Sequence, residues 1–200
     1  MTVAAAVLAG GAGRRMGRDK ATLAVAGVAM ARRVAAVAAQ VADPVVLVAP
    51  AGHPAVPLGV SMGLPTVADP GSGPLAAVAA ALDGLTAEHV LVLATDHPGL
   101  RPELLALLLE GRAAAPAVAC RGPGGHLEPL VAVYQRAPAL TAARARIEAG
   151  GDQSLRGLLA ALGARVLEPA EWRAADPDGR SFTDLDTPGQ VRAWERGALR

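Results

Sequence analysis

The chain has 200 residues, which suits a single α/β domain with a sizeable core. Its formal net charge of +1 provides no overall field that would recruit nucleic acid or a membrane surface, so we expect neither as a partner. The first apolar run is too short for a secretory signal or a membrane span, and the only cysteine, Cys120, excludes an internal disulfide. These features predict a cytoplasmic protein in which Cys120 is a small hydrophobic residue without a catalytic role.

Apolar runs alternate with helical patterns along the first half of the chain. Strands are predicted, in chain order, at Val3–Ala9, Pro44–Ala49, Leu64–Ala68, His89–Ala94, Ala117–Cys120, Leu130–Tyr134 and Arg165–Leu167. Helices are predicted at Val28–Val41, Pro74–Leu82, Pro102–Ala114, Pro138–Ala149, Ser154–Leu162 and after Pro188. This alternation is typical of a Rossmann-like three-layer α/β/α domain with a mostly parallel sheet, to which the less regular second half is predicted to add one antiparallel strand.

A glycine- and arginine-rich loop, Gly10–Lys20, directly follows the first predicted strand. Ligands bind at the carboxyl ends of strands in open α/β sheets, and glycines let the backbone approach phosphate oxygens. The spacing Gly11-x-Gly13-x-x-x-Gly17 is one residue too long for a dinucleotide fingerprint, and the loop does not have P-loop spacing. The alternative to a phosphate-binding loop is a surface turn with solvated arginines. Lys20 is the only lysine in a chain that otherwise uses Arg, which indicates that a compact ammonium is needed there.

The segment Leu8–Lys20 resembles the signature loop L-A-G-G-x-x-x-R-M-G-x-D-K of the molybdenum cofactor guanylyltransferase family. Further matching segments extend the resemblance over nearly the whole chain. The resemblance implies a single nucleotidyltransferase domain over residues 1–200, which transfers GMP from GTP to molybdopterin cofactor with release of pyrophosphate and requires Mg²⁺. Acceptor molybdoenzymes or their chaperones are further candidate partners.

The same resemblance assigns nucleotide contacts to residues of this loop. Contacts with base, ribose and phosphates are implied for Leu8, Ala9, Gly10, Gly11 and Gly13. Arg15 and Lys20 are implied catalytic cations that neutralise the phosphates. This assignment is physically reasonable, because nucleotidyl transfer depends on positioning and on cations placed where charge develops.

Two acidic residues that follow predicted strands extend the candidate site. Asp96 follows His89–Ala94 and resembles the family's metal-binding D-x-P segment, which makes it a catalytic residue, a nucleotide contact and an Mg²⁺ ligand. Its alternative role is to cap the next helix. Asp69 precedes Gly73-Pro74-Leu75-Ala76, as does a nucleotide-contacting Asp in the family. The alternative for Asp69 is an Asp in a Pro/Gly turn.

Phe182–Pro188 reads F-T-D-L-D-T-P and resembles the family segment F-x-N-x-N-T-P, with aspartate at both asparagine positions. We expect Asp186 to be a second Mg²⁺ ligand with Asp184 supporting it. Thr187 and Pro188 also fit the cap and first position of the last helix, and capping and metal binding can coexist through different residues.

The stretch Pro129–Tyr134, P-L-V-A-V-Y, resembles the family's P-L-x-A-x-Y segment near the acceptor pterin. His126 and Arg156 lie where they could meet the acceptor, and His53 lies in a region that selects the base in the family, but the sequence assigns none of them a role. Two other functions stay open. One is cytidylyl transfer to the same type of cofactor, since aspartates at 184 and 186 occur in sister families. The other is a catalytically silent domain that binds nucleotide or cofactor.

Overall fold

The computed structural model describes residues 2–10 and 20–197, so the predictions for Gly11, Gly13 and Arg15 lie outside the described residues. The strands are β1 Val3–Leu8, β2 Ala24–Val25, β3 Val28–Ala29, β4 Val45–Ala49, β5 Thr66–Ala68, β6 His89–Ala94, β7 Ala117–Arg121, β8 Leu127–Gln135 and β9 Arg165–Leu167. The helices are α1 Met30–Ala38, α2 Ala55–Ser61, α3 Pro74–Gly84, α4 Pro102–Glu110, α5 Arg136–Ala149, α6 Leu155–Ala161, α7 Pro169–Trp172 and α8 Pro188–Glu195. Turns of 3₁₀ helix lie at Gly111–Ala113 and Arg180–Phe182.

Seven of the described strands form one sheet in the order β5-β4-β1-β6-β8-β7-β9. The parallel pair β1 and β6 lies near its centre, in register from Val3 opposite His89 to Leu8 opposite Ala94. β8 runs antiparallel to both of its neighbours, β6 and β7, whereas β9 is parallel to β7. The predicted mostly parallel sheet with one antiparallel strand is confirmed.

The two faces of the sheet bury separate apolar clusters, built largely from Ala, Val and Leu. Successive strand residues point to opposite faces, so Val7 belongs to one cluster and Ala6 to the other. α1 and α4 pack on the first face, and α3, α5 and α6 pack on the second. This arrangement is the predicted three-layer α/β/α fold. No helix in the described ranges has both the length and the apolar character that a bilayer crossing requires.

Several element boundaries differ from those predicted by pattern. The helix predicted at Val28–Val41 begins only at Met30, because Val28 and Ala29 pair with Ala24–Val25 in a short hairpin. The predicted loop Arg121–Pro129 already contains the start of β8 at Leu127. α2 and α7 are not apparent in the sequence, since α2 contains a proline and a glycine and α7 has only one turn.

The strand directions determine which residues meet at the carboxyl edge of the parallel strands. Gly10, Asp69 and Asp96 follow β1, β5 and β6, so all three reach this edge. Because β8 runs in the opposite direction, its beginning at Leu127 lies at the same edge.

Candidate active site

Three charged side chains meet at the carboxyl edge of the sheet. Lys20 Nζ donates a hydrogen bond to Asp96 Oδ2 at 3.1 Å and also contacts Asp186 Oδ1. The site is partly buried, with 19% of the Lys20 side chain and 25% of the Asp96 side chain exposed. Burial lowers the pKa of Lys20, but the hydrogen bond to Asp186 and the charge of Asp96 outweigh it, so the pKa lies above the ordinary value of 10.5. Lys20 is therefore a cation at neutral pH.

Backbone hydrogen bonds hold Asp186 next to Asp96. The N–H of Leu185 donates to the carbonyl of Asp96 at 3.0 Å, and the Leu185 side chain is fully buried. The N–H of Asp186 donates to Gln190 Oε1 at 2.9 Å, and the N–H of Gln190 donates to Thr187 Oγ1 at 3.2 Å. Thr187 is thus the N-cap of α8, as predicted, while the Asp186 carboxylate reaches Lys20.

The interpretation of Asp96 as a helix cap does not agree with the structure. α4 begins at Pro102, and its N-cap position is Arg101. The Asp96 carboxylate instead contacts Lys20, and its Oδ1 lies 3.7 Å from His97 Nε2. Asp96 is therefore placed for binding cations or substrate and does not start the helix.

A cavity of about 360 Å³, here called the first cavity, adjoins the charged cluster, and its volume is typical of a small-molecule site. Its wall includes five residues assigned to the nucleotide from sequence, namely Leu8, Gly10, Lys20, Asp69 and Asp96. The structure does not bring Ala9 to this wall, since the Ala9 side chain is 2% exposed and packs in the core.

Asp69 lies directly against Gly10 in the first cavity. Asp69 Oδ1 accepts a hydrogen bond from the N–H of Gly71 at 2.8 Å, so Asp69 does stabilise a turn as well as line the cavity. A Cβ atom on Gly10 would lie 2.3 Å from Asp69 Oδ2. A side chain at this position would displace the carboxylate, so glycine allows Asp69 to keep its observed place in the cavity wall.

Asp96 and Asp186 form a pair of carboxylates that a magnesium ion can use, since both reach the same cationic atom. Mg²⁺ is usually held by one or two protein carboxylates and completes its octahedral shell with water and substrate phosphates. In the chain outside 11–19 and the two ends, no group of three or more His, Cys, Asp or Glu side chains could hold a metal ion. The described residues therefore fit a metal that shares its remaining ligands with a phosphorylated substrate.

A second cavity of about 590 Å³ opens beside the first, and the two share Ala94, Asp96 and Leu130 in their walls. Asp184 lines this second cavity, whereas Asp186 contacts Lys20. The two aspartates of the C-terminal motif therefore have different surroundings, and Asp96 stands at the boundary between the cavities.

The structure places the three residues without an assigned role in two different surroundings. His126 and Arg156 both line the second cavity. His53 lies at the start of α2, where its Nδ1 accepts a hydrogen bond from the N–H of Ala55 at 3.2 Å. The structure therefore associates the first two, but not His53, with the two cavities.

Sequence reasoning missed the buried carboxylate Asp176, which anchors the segment leading to Asp184. Asp176 is 0% exposed, accepts hydrogen bonds from the N–H groups of Arg180 and Ser181 at 3.2 and 2.8 Å, and pairs with Arg101 Nε at 3.1 Å. The available signal was the D-P-D-G pattern that starts at Asp176, which is typical of a turn.

Sequence reasoning also missed Glu128, which lines the second cavity. Burial raises the pKa of the Glu128 carboxyl above its usual value, and the negative charges of Asp184 and Asp96 add to that rise. His97 and Arg156 act in the opposite direction. The sequence contains no local signal for this position, because Glu128 lies in a stretch that reads as loop.

Known proteins are similar to this chain over most of its length. The family profile of the MobA-like NTP transferase domain matches residues 5–166. The molybdenum cofactor guanylyltransferase of Rhodobacter capsulatus is 39% identical over 204 residues, which cover 98% of this chain and 97% of that protein. The crystal structure of molybdopterin-guanine dinucleotide biosynthesis protein A from Archaeoglobus fulgidus is 26% identical with a TM-score of 0.82, over 96% of this chain and 97% of that one.

A more distant structure shares the fold alone. The 2-C-methyl-D-erythritol 4-phosphate cytidylyltransferase from Thermus thermophilus has a TM-score of 0.71 at 19% identity, over 96% of this chain and 97% of that one. The profile and the Rhodobacter relative both extend over most of the chain and include the strands that carry Gly10, Asp69 and Asp96. The chain belongs to the MobA-like NTP transferase domain family and, within it, to the molybdenum cofactor guanylyltransferase family that its sequence resembles.

Proposed function

We propose that this chain transfers GMP from GTP to a molybdopterin cofactor in the cytoplasm, with Mg²⁺ as its metal ion and pyrophosphate as the second product. The observation that carries the proposal is the meeting of Lys20, Asp96 and Asp186 where two cavities join. A cation between two carboxylates at such a junction suits the transfer of a phosphoryl-type group between two substrates.

The first cavity is the proposed GTP site. Leu8 and Gly10 bring the end of β1 to it, and Lys20 supplies a positive charge. Gly73 and Pro74 line the same cavity at the N-terminus of α3, where the helix dipole places partial positive charge. The helix dipole and the ammonium therefore both favour an anionic ligand such as a triphosphate.

The second cavity is the proposed acceptor site, because it adjoins the first at Asp96. A phosphate oxygen of the acceptor would attack the α-phosphorus of GTP, forming a new P–O bond while the bond to the β-phosphate oxygen breaks. A phosphate monoester is largely ionised near neutral pH, so this attack needs no protein base. Lys20 would donate hydrogen bonds to the phosphates and offset the charge on the leaving pyrophosphate. Mg²⁺ held by Asp96 and Asp186 would further neutralise the phosphate oxygens.

The deciding experiment is a nucleotide panel with detection of pyrophosphate. We expect pyrophosphate release with GTP, Mg²⁺ and molybdopterin together, and none when any of the three is omitted. GTP should also raise the melting temperature more than CTP or UTP does. A preference for CTP would assign cytidylyl transfer, and nucleotide binding without pyrophosphate release would assign a silent binding domain. Either result contradicts the proposal.

A further inference from the structure

The second cavity contains a carboxylate that the described part of the chain leaves without a hydrogen-bond donor. Glu128 is partly buried and lines this cavity. Asp96 and Asp184 are acidic groups close enough to act on it, and His97 and Arg156 act in the opposite direction. A partly desolvated carboxylate is stabilised when it accepts hydrogen bonds, so this position favours a ligand that brings N–H groups.

The position of Glu128 results from an irregularity in the pairing of β7 and β8. Ala119 pairs with Ala132, but the next residue, Cys120, pairs with Glu128. The residues Pro129–Val131 therefore have no partner on β7, although Val131 still pairs with Leu93 of β6. Bulges redirect side chains and are frequent beside active sites.

Two further contacts fix this bulge. The buried Tyr134 hydroxyl donates a hydrogen bond to the carbonyl of Pro129 at 2.8 Å. The Glu128 side chain lies over Gly122, where an added Cβ would come within 2.7 Å of Glu128 Oε1. The chain thus builds a defined position for this carboxylate in the wall of the cavity.

His97 gives independent support for a ligand in the second cavity. It is 7% exposed, lines the cavity, and its buried Nδ1 has no hydrogen-bond partner among the described residues. Its Nε2 lies 3.7 Å from Asp96 Oδ1, which is too long for a hydrogen bond. Buried polar atoms usually have a hydrogen-bond partner, and a ligand in this cavity would supply one for His97 Nδ1.

We propose that Glu128 is a specificity-determining residue that accepts two adjacent N–H groups from the acceptor, namely those on the amino-pyrimidinone edge of a pterin. The inference rests on the proposed function, which makes a molybdopterin cofactor the acceptor. A 2-amino-4-oxo ring presents an amino N–H next to a ring N–H, and a carboxylate accepts such a pair through its two oxygens. Guanine has the same pair, but Glu128 lines the second cavity and is absent from the wall of the cavity that contains Lys20 and Gly10.

The test compares two fluorescent pteridines that differ at one group. Pterin carries the 2-amino group, whereas lumazine carries a 2-oxo group in its place. We expect the wild type to bind pterin about tenfold or more tighter than lumazine, because a hydrogen bond to a charged group is lost with lumazine. Glu128→Gln should reverse the preference, since its amide offers one acceptor and one donor, which match the ring N–H and the 2-oxo group of lumazine.

The matched control is Glu88→Gln, an exposed carboxylate just before β6 at the opposite edge of the sheet. It should keep the wild-type preference for pterin. Glu128→Asp retains the charge on a shorter side chain, so it should weaken pterin binding but keep the preference for pterin over lumazine. This variant provides the test if Glu128→Gln does not fold.

Several outcomes would overturn the assignment. One is an unchanged preference in Glu128→Gln. Another is an equal loss of affinity for GTP and for pterin in Glu128→Gln, with the GTP affinity measured by calorimetry. That result would assign Glu128 to the guanine base. Failure of the proposed function is seen separately, as the absence of pyrophosphate release by the wild type with GTP and molybdopterin, whatever the pteridine titrations give.

Discussion

Replacing Lys20 by methionine tests the centre of the proposed site most directly. Methionine has similar length and no charge, so the change removes the ammonium and leaves Asp96 and Asp186 facing each other without a cation from Lys20. Two effects must be separated in this variant. One is a loss of stability from unbalanced carboxylates, and the other is a loss of charge stabilisation at the reacting phosphates.

The structure sets the size of the first effect. Unit charges 3.1 Å apart attract by about 5 kcal/mol at an effective dielectric constant of about 20. Partial exposure of both Lys20 and Asp96 reduces this through solvent screening, so we expect a net loss of about 1–2 kcal/mol in the free energy of unfolding. That loss corresponds to a decrease of about 2–8 °C in Tm for a domain of this size. Since domains are stable by about 5–15 kcal/mol, nearly all of the variant stays folded.

The second effect is much larger. Removing one donor that stabilises developing charge typically lowers kcat by about 10²–10³. We therefore expect Lys20→Met to lose about 10²–10³-fold in pyrophosphate release while Tm changes by only a few degrees. Lys20→Arg retains the charge and should recover stability more than turnover, because a planar guanidinium differs in shape from the ammonium. Turnover of Lys20→Met within about threefold of wild type would refute a catalytic role for Lys20.

Four other changes test separate parts of the structure. Asp96→Asn should abolish the Mg²⁺-dependent part of GTP binding, and calorimetric affinities that respond to Mg²⁺ as in the wild type would contradict its role as a ligand. Gly10→Ala should weaken GTP binding about tenfold with little change in Tm, since a Cβ 2.3 Å from Asp69 Oδ2 must displace that carboxylate; unchanged affinity would show that Asp69 does not contact nucleotide. Cys120 is buried, and burial raises the pKa of its thiol to about 12, so a disulfide reagent should modify it only after unfolding in urea; rapid labelling of the native protein would be inconsistent with this packing. Burial lowers the pKa of His89 below its ordinary 6.5, so the unfolded chain binds a proton more readily as the pH falls; urea titrations from about pH 7.5 to about pH 5.5 should show stability decreasing, with a smaller decrease in His89→Leu.

The fold was predictable where an element has a strong apolar pattern of its own. His89–Ala94 was predicted with the bounds that the structure shows, because a short, nearly continuous apolar run favours a strand that is buried on both faces of a sheet. The hairpin before α1 was not predictable, since Ala26 adopts a φ of 48°, a conformation that is rare for alanine and that no pattern indicates. Tertiary contacts decide such short elements.

The candidate site also contains residues that local sequence patterns indicate and residues that only tertiary contacts bring to it. Gly10, Lys20 and Asp96 could be predicted because strand ends, glycines and an isolated lysine are visible in the sequence. The contact of Asp186 with the same ammonium depends on a backbone hydrogen bond from Leu185 to Asp96, a residue distant in sequence that lies just after β6, and local patterns do not show this contact.

Glu128 and His97 escaped prediction for a related reason. Glu128 lies where β8 loses register against β7, and register depends on both strands together, while the second cavity that Glu128 and His97 line is formed by segments distant in sequence. The carbonyl freed by this shift is that of Pro129, and the buried Tyr134 hydroxyl satisfies it. The spacing of proline and tyrosine in P-L-V-A-V-Y therefore has a structural reason that becomes clear only with the paired strand present.

The reversed direction of β8 has a consequence for how such an enzyme can change its substrates. If β8 were parallel to β7, the connection between them would have to cross to the opposite edge of the sheet. Because β8 is antiparallel, the chain turns back through residues 122–126 at the carboxyl edge of the parallel strands, where the two cavities lie. Insertions or deletions in this turn would change the shape of the second cavity, which Leu127 lines, and leave β1, β4 and β6 unchanged. Evolution could thus exchange the receiving molecule while the donor nucleotide and its chemistry stayed the same.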